Sequence, residues 1–182
     1  MRTFVAIALP EPIQSALRQK QAAFRATCPD ARWTRIEGIH LTLKFLGEIS
    51  EAQVNQISNA LASLAPFKPF LIEVKGFGFF PDARRPRVFW AGLEAPAELI
   101  QLAARVEALM EPLGFPKEPR PFTPHLTLAR FKEPRPQPAL QELLRGQSET
   151  GLGSFEVSEF FLFESKLSPR GAEYCQLARF PR

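Results

Sequence analysis

The sequence His-Leu-Thr-Leu stands at residues 40–43 and again at residues 125–128, nearly half a chain apart in a protein of 182 residues. The chain has two histidines, and each of them opens one copy. Successive side chains of a β-strand point to opposite faces, so His and Thr share one face and the two leucines share the other. The repeat therefore predicts two similar strands, each anchored to a core by leucines and presenting an imidazole and a hydroxyl roughly 7 Å apart.

The residues beside the two copies add charged and aromatic side chains. Lys44 lies four positions after His40, so a regular strand would point it to the same face. Arg130 lies five positions after His125, and by the same parity it would face away unless the strand bulges or ends there. The aromatic residues near the copies could stack on a nucleobase or pack into the core; they are Trp33, Phe45 and Phe122.

The rest of the sequence alternates predicted strands and helices, with some strands in runs. This pattern favours an α+β fold with antiparallel sheets over a doubly wound parallel sheet. The spacing of Ser50 and Gln53 is that of a capping box at the start of a helix, and Gly114 is a natural helix stop. Strands are predicted at 4–9, 33–34, 40–46, 70–75, 88–93, 125–131, 155–163 and 174–180, and helices at 12–26, after 50, at 96–113 and at 139–145.

The composition is that of a folded protein with a mild positive charge. Hydrophobic residues make up 45%, charged residues 23%, and 17 phenylalanines supply bulk for a core, which excludes wholesale disorder. No apolar run approaches the roughly 18 residues of a membrane helix, and the run at 4–9 is too short for a signal peptide. We expect a monomer in the cytoplasm. The net charge of +4 favours an anionic ligand, and the basic loop around Arg84, Arg85 and Arg87 is either an RNA contact or a solvated loop.

Two imidazoles suit in-line displacement at phosphorus. That reaction needs a base on the entering oxygen and an acid on the leaving oxygen, at opposite ends of the transition state. With an ordinary pKa of about 6.5, one histidine can be neutral while the other is protonated near neutral pH. The threonine hydroxyls can hold the non-bridging oxygens. Neither copy contains Asp, Glu or Cys, so the pair would be a poor zinc or iron site, and we predict no metal requirement.

The extended motifs resemble those of the two-histidine (2H) phosphoesterases. Within them the chain is most similar to the bacterial and archaeal 2′-5′ RNA ligases, also described as RNA 2′,3′-cyclic phosphodiesterases. The resemblance covers nearly the full length. The matching stretches are residues 4–7, 40–47, 122–130 and 161–165, followed by Gly171 and Tyr174.

The resemblance implies a fold and a reaction. The fold would be a single domain over residues 1–182, bilobal, with one motif and one antiparallel sheet in each pseudo-symmetric lobe, flanking helices, an active cleft between the lobes, and a boundary near 114–124. The reaction would be hydrolysis of 2′,3′-cyclic phosphate ends of RNA, or of small cyclic nucleotides, to 2′-phosphomonoesters. Reversal of this type of reaction would join RNA ends through a 2′-5′ bond. The hydrolysis would use no metal and no cofactor.

The resemblance also implies roles for the motif residues. His40 would be the general acid and His125 the general base, while Thr42, Thr127 and Arg130 would bind the phosphate. Lys44, Phe45 and Phe122 are candidates for contacts to a base or the RNA backbone. Two alternatives stay open: a non-catalytic module that binds RNA ends or nucleotides, and a phosphodiesterase for another substrate such as ADP-ribose cyclic phosphate or 2′-5′ oligonucleotides.

Overall fold

A computed structural model describes residues 1–64 and 66–181. Over these residues it contains nine strands and four α-helices. The strands are β1 (Arg2–Ala8), β2 (Arg32–Trp33), β3 (His40–Glu48), β4 (Phe70–Phe80), β5 (Val88–Glu94), β6 (His125–Arg130), β7 (Gly151–Val157), β8 (Phe160–Ser168) and β9 (Gly171–Phe180). The helices are α1 (Glu11–Arg25), α2 (Glu51–Ala62), α3 (Ala97–Met110) and α4 (Pro138–Leu144).

The strands form two antiparallel sheets, as predicted for an α+β fold. The first sheet has the order β3-β1-β8-β9 and the second the order β2-β6-β5-β4-β7. Each sheet contains one copy of the repeated motif, on β3 and on β6. The chain crosses between the sheets several times, because β2 joins the second sheet and β8 and β9 return to the first. The segment 114–124 lies between β5 and β6, which are neighbours in the second sheet.

Local sequence signals account for the helix boundaries. Ser50 Oγ accepts from the Gln53 backbone N–H at 3.3 Å, and Gln53 Oε1 accepts from the Ser50 N–H at 2.9 Å, so the predicted capping box starts α2. The turn after α3 ends at Gly114, whose φ of 92° lies in the left-handed region that glycine adopts without strain. The predicted helices are confirmed with shifts of one to three residues at their ends.

One predicted strand is wrong. The single strand predicted at 155–163 is two strands in different sheets, β7 beside β4 and β8 between β1 and β9. Ser158 and Glu159 separate them. Because apolar residues stand on both sides of this pair, hydrophobic pattern alone does not show the break between the strands. Strands β4 and β9 are also longer than the predicted 70–75 and 174–180.

A core that both sheets share fixes the motif strands. Leu41, Leu43, Leu126 and Leu128 are all less than 5% exposed, as the alternation of the motif predicts. Burying a leucine side chain contributes roughly 1.5–3 kcal/mol each, so the four hold both strands firmly against the core. Among the described residues, no helix has both the length and the hydropathy to cross a membrane.

Candidate active site

Both motif strands contain a β-bulge directly after the threonine. In β3, Thr42 lies opposite Ala6 and Lys44 opposite Val5, which leaves Leu43 as the extra residue. In β6 the extra residue is Leu128, between Thr127 and Ala129. Burial along the six residues from each histidine is identical: half-buried, buried, half-buried, buried, buried, exposed. A bulge adds one residue and reverses the alternation beyond it, so the sixth residue, not the fifth, rejoins the histidine face.

The bulge corrects the prediction for Lys44. Its side chain points into the interior and is 1% exposed, and Nζ lies 2.9 Å from Glu107 Oε2 on α3. Nζ also donates to the Pro116 carbonyl at 2.9 Å. Lys44 is therefore an internal ion-pair partner, and its prediction as a contact to RNA is wrong.

Phe45 occupies the position that regular alternation would have given to Lys44. Its side chain is 60% exposed, and its ring lies 6.1 Å from that of Phe4, which in turn stacks on His40. An exposed phenyl ring here gains little from core packing, so Phe45 is available to a ligand.

In the second strand the same bulge brings Arg130 to the histidine face. Arg130 is exposed, and its positive charge acts on His125. Burial lowers the pKa of His125, the hydrogen bond to the Thr123 carbonyl raises it, and the charge of Arg130 lowers it further. A guanidinium beside an imidazole on one exposed face is suited to hold an anionic phosphate.

His40 lies in a cage of aromatic rings. Its imidazole stacks on Phe4 at 4.7 Å and Phe163 at 5.3 Å between centroids, and Tyr174 meets it edge-on at 4.7 Å. Burial among these rings lowers the pKa of His40 to about 4, because the charged form loses hydration. The imidazole is therefore neutral at pH 7. Among the described residues its ring nitrogens have no hydrogen-bond partner.

His125 is oriented by a hydrogen bond instead. Its Nδ1 lies 2.8 Å from the Thr123 carbonyl oxygen. A carbonyl can only accept, so Nδ1 carries the proton and the neutral ring keeps a lone pair on Nε2. Phe80 contacts the ring edge-on at 4.9 Å. The backbone at Thr123 thus fixes the tautomer that can accept a proton.

The two motif strands meet although they belong to different sheets. Cα atoms of β3 and β6 approach within 8 Å. A cavity of about 520 Å³ opens beside His40, and His125 lies outside its lining. Polar side chains of Gln14, Glu37 and Gln176 line it together with Phe163 and Tyr174.

Gln21 supports the second bulge, and the sequence analysis missed it. This side chain is 7% exposed, and its Nε2 donates to the Leu128 carbonyl at 3.1 Å and to the Thr34 carbonyl at 2.8 Å. The Thr34 N–H donates to the same Leu128 carbonyl at 2.9 Å. The sequence does contain a signal for a buried polar role. Gln21 follows Ile13 and Leu17 at four-residue spacing on the buried face of α1, where an apolar residue is the norm.

The remaining candidates pack into or against the core, or belong to the basic loop. Trp33 is 9% exposed and donates to the Cys28 carbonyl at 3.0 Å, so it is a core residue. Phe122 is half-buried against the core. In the basic loop, Arg87 donates to the Lys132 carbonyl at 2.9 Å. The backbone N–H groups of Arg84 and Arg85 donate to Asp82 Oδ1 at 2.8 and 3.0 Å.

Metal-ligating residues do not cluster in the part of the chain that the structure describes. Over residues 1–64 and 66–181, no group of three or more His, Cys, Asp or Glu side chains could hold a metal ion. Cys28 is buried and Cys175 is exposed, and both are free thiols. The prediction that the reaction needs no metal stays a prediction.

Two antiparallel sheets, each with a bulged strand that presents His and Thr on one face, define a two-histidine phosphoesterase. The sequence agrees with this class: a profile described as LigT-like phosphoesterase matches residues 7–90 and 93–174. The chain belongs to the LigT-like phosphoesterase family.

The relatives and solved structures described next match from three quarters to nearly all of the chain. A protein of Methanothermobacter thermautotrophicus named RNA 2′,3′-cyclic phosphodiesterase is 33% identical over 181 residues, 99% of this chain and 98% of the relative. A protein of the same name from Aeropyrum pernix is 43% identical over 139 residues, which are 76% of this chain and 78% of the relative. The crystal structure of TT0787 of Thermus thermophilus has a TM-score of 0.82 at 34% identity, covering 99% of this chain and 97% of that one. Escherichia coli LigT complexed with 3′-AMP has a TM-score of 0.78 at 28% identity, covering 98% and 96%.

Proposed function

We propose that this protein hydrolyses ribose 2′,3′-cyclic phosphate ends of RNA to 2′-phosphomonoesters. The observation that carries the proposal is the matched pair of bulged strands, each of which presents His, Thr and one further side chain on a single face. The name shared by the relatives supports the same substrate class. The chain alone is proposed to be active, as a monomer and without metal or cofactor.

His125 is the proposed general base. Its Nδ1 proton is held by the Thr123 carbonyl at 2.8 Å, so Nε2 is free to accept a proton from water. The water oxygen then forms a bond to phosphorus while its proton passes to Nε2. Because burial lowers the pKa of this imidazole, it is neutral and ready to accept a proton at pH 7.

His40 is the proposed general acid. It donates a proton to the ribose 3′ oxygen as the bond from that oxygen to phosphorus breaks, which leaves a 2′-phosphomonoester and a 3′-hydroxyl. Burial in its aromatic cage keeps the ligand-free imidazole neutral, with its pKa lowered to about 4. The negative charge of a bound phosphodiester favours the protonated form, so substrate and proton are expected to bind together.

Threonine hydroxyls and a guanidinium complete the proposed phosphate site. Thr42 and Thr127 share faces with the two histidines and would donate to non-bridging oxygens. Arg130 would neutralise the charge that develops there. On the other lobe Phe45 offers an exposed ring to a base. The same groups would serve the reverse type of reaction, with a 5′-hydroxyl in place of water.

Turnover with product identification tests the proposal. The purified protein is incubated in chelator with an RNA oligonucleotide that ends in a 2′,3′-cyclic phosphate. We expect complete conversion to the 2′-phosphate, which resists a 3′-specific phosphatase. Formation of a 3′-phosphate would reverse the assignment of the leaving oxygen. Tight binding of the RNA without turnover would favour a binding module, and activity only after one divalent ion is added would overturn the metal-free mechanism.

A further inference from the structure

Trp90 lies beside the second motif, on the same face of the sheet. In the register of β5 with β6, Trp90 is opposite Thr127, and Gly92 is opposite His125. On the other side, Trp90 is opposite Gly78 of β4. Residues directly opposite one another in antiparallel strands project to the same face. The indole is therefore a neighbour of the proposed phosphate-binding hydroxyl.

The indole lies flat on the backbone of β4. A Cβ placed on Gly78 would be 2.3 Å from Cζ2, 2.4 Å from Cη2 and 2.9 Å from Cε2 of Trp90. A point in the plane of the ring and outside its edge can be this close to two of these adjacent atoms, but it is clearly farther from the third. Because the Cβ would be within 2.9 Å of all three, it would lie above the face of the ring. Gly78 thus allows an approach that any side chain would block. The opposite face of the indole points away from the sheet.

Packing alone does not explain an indole at this position. Trp90 is half-buried, and its Nε1 is buried without a hydrogen-bond partner among the described residues. An unpaired buried N–H lowers stability, and a phenyl ring could lie on the same glycine without that cost. Phe80 contacts Trp90 at 5.3 Å and His125 at 4.9 Å, so the three rings form one continuous surface.

We propose that the outer face of Trp90 is the stacking platform for the nucleobase of the nucleotide that carries the cyclic phosphate. The assignment rests on the proposed function. Base and phosphate are attached to the same ribose, so a platform next to Thr127 is within reach of the base. Stacking is sequence-tolerant because every base has a π-face, which suits an enzyme that acts on RNA ends of varied sequence.

Tryptophan fluorescence reports occupation of the platform directly, because the chain has two tryptophans and Trp33 is in the core. Titration with 2′-AMP, a product that is not consumed, is expected to quench the wild-type protein saturably. Ribose 5-phosphate, which has no base, should not quench it. The quench should persist in Trp33→Phe and vanish in Trp90→Phe. A quench that survives in Trp90→Phe, or none in the wild type, would overturn the proposal.

Kinetics separates stacking from a merely structural role. For Trp90→Leu, kcat/KM for 2′,3′-cyclic AMP is expected to fall about tenfold relative to kcat/KM for a methyl riboside 2,3-cyclic phosphate, mainly through KM. Trp90→Phe keeps an aromatic face and should recover most of the difference. Equal losses on the two substrates would contradict stacking. Circular dichroism checks that Trp90→Leu folds; if it does not, the fluorescence of wild type and Trp33→Phe decides.

The two proposals fail in different ways. Saturable quenching of Trp90 by 2′-AMP without hydrolysis of any cyclic phosphate would refute the proposed function and keep the platform. Hydrolysis of cyclic phosphates at equal kcat/KM with and without a base would keep the function and refute the platform.

Discussion

Strands β3 and β6 have the same bulge and the same burial pattern, but their histidines have different surroundings. His40 is enclosed by three aromatic rings, whereas His125 is tethered by a backbone carbonyl and lies near Arg130. The sixth position repeats the contrast, with an exposed phenyl ring at Phe45 and a cation at Arg130. Strands with the same bulge place the two imidazoles alike, and the neighbouring elements then give them different chemistry.

Removal of either histidine is expected to have the largest effect. General acid and general base each contribute about 10²–10⁴-fold, so His40→Ala and His125→Ala should each reduce kcat by about 1,000-fold. Steady-state hydrolysis of 2′,3′-cyclic AMP measures the loss of kcat. Retained 2′-AMP binding and a cooperative thermal transition show that each variant is folded. A loss confined to one variant would mean that the two strands are not a catalytic pair.

Arg130 is the sixth residue counted from His125, as Phe45 is from His40, and it is the charged one of the two. Arg130→Leu should lower kcat/KM by about 100-fold, because a charge-stabilising donor at the phosphate is lost. Arg145, which follows the last residue of α4, is a matched control: it is 79% exposed and pairs with Glu142, so Arg145→Leu should change activity less than twofold. If the two variants behave alike, only the overall charge of the protein matters.

Strands β3 and β6 also differ in the core, where β3 has the buried ion-pair residue Lys44. Lys44→Met removes one partner of a buried ion pair and leaves Glu107 uncompensated, so the free energy of unfolding should fall by about 3 kcal/mol. Urea denaturation measures the change. The exposed pair of Lys117 with Glu111 is the control, and Lys117→Met should cost less than about 1 kcal/mol. A mainly catalytic defect with unchanged stability would contradict the interior position of Lys44.

Gln21 supports only the second strand, so its loss should be the mildest. Gln21→Leu leaves the Thr34 carbonyl without this donor and loosens the bulge at Leu128, at a cost of about 1–2 kcal/mol in stability. Because Arg130 follows that bulge, KM should rise more than kcat falls. Gln101→Leu, on the exposed side of α3, is the control. An unchanged KM would show that the bulge holds its geometry without Gln21.

Local sequence signals were enough for most of the fold. Alternation and capping gave the strands and helices, and the repeat of both histidines singled out β3 and β6. Regular strand alternation predicted the wrong face for Lys44, because the bulge before it cannot be recognised from the sequence. The break between β7 and β8 was hidden in the same way, since apolar residues stand on both sides of Ser158 and Glu159.

Contacts between distant elements could not be predicted in detail. The aromatic cage of His40 is built from β1, β8 and β9, and the flat indole of Trp90 depends on a glycine of the neighbouring strand. Strand order decides both, and no local pattern gives strand order. Gln21 is intermediate: a polar residue in an apolar stripe was visible, but its partners, the carbonyls of Thr34 and Leu128, were not.

The pH dependence of kcat/KM for the wild type, His40→Ala and His125→Ala tests the division of labour between the two strands. Burial lowers the pKa of His40 to about 4, and burial, then Arg130, lowers that of His125 below 6.5. We therefore predict a bell-shaped wild-type profile with both midpoints below pH 6.5. The residual activity of His40→Ala should lose the alkaline fall, because no acid need stay protonated, and that of His125→Ala should lose the acidic rise. Loss of the same limb in both variants, or of the opposite limb in each, would contradict His125 as base and His40 as acid.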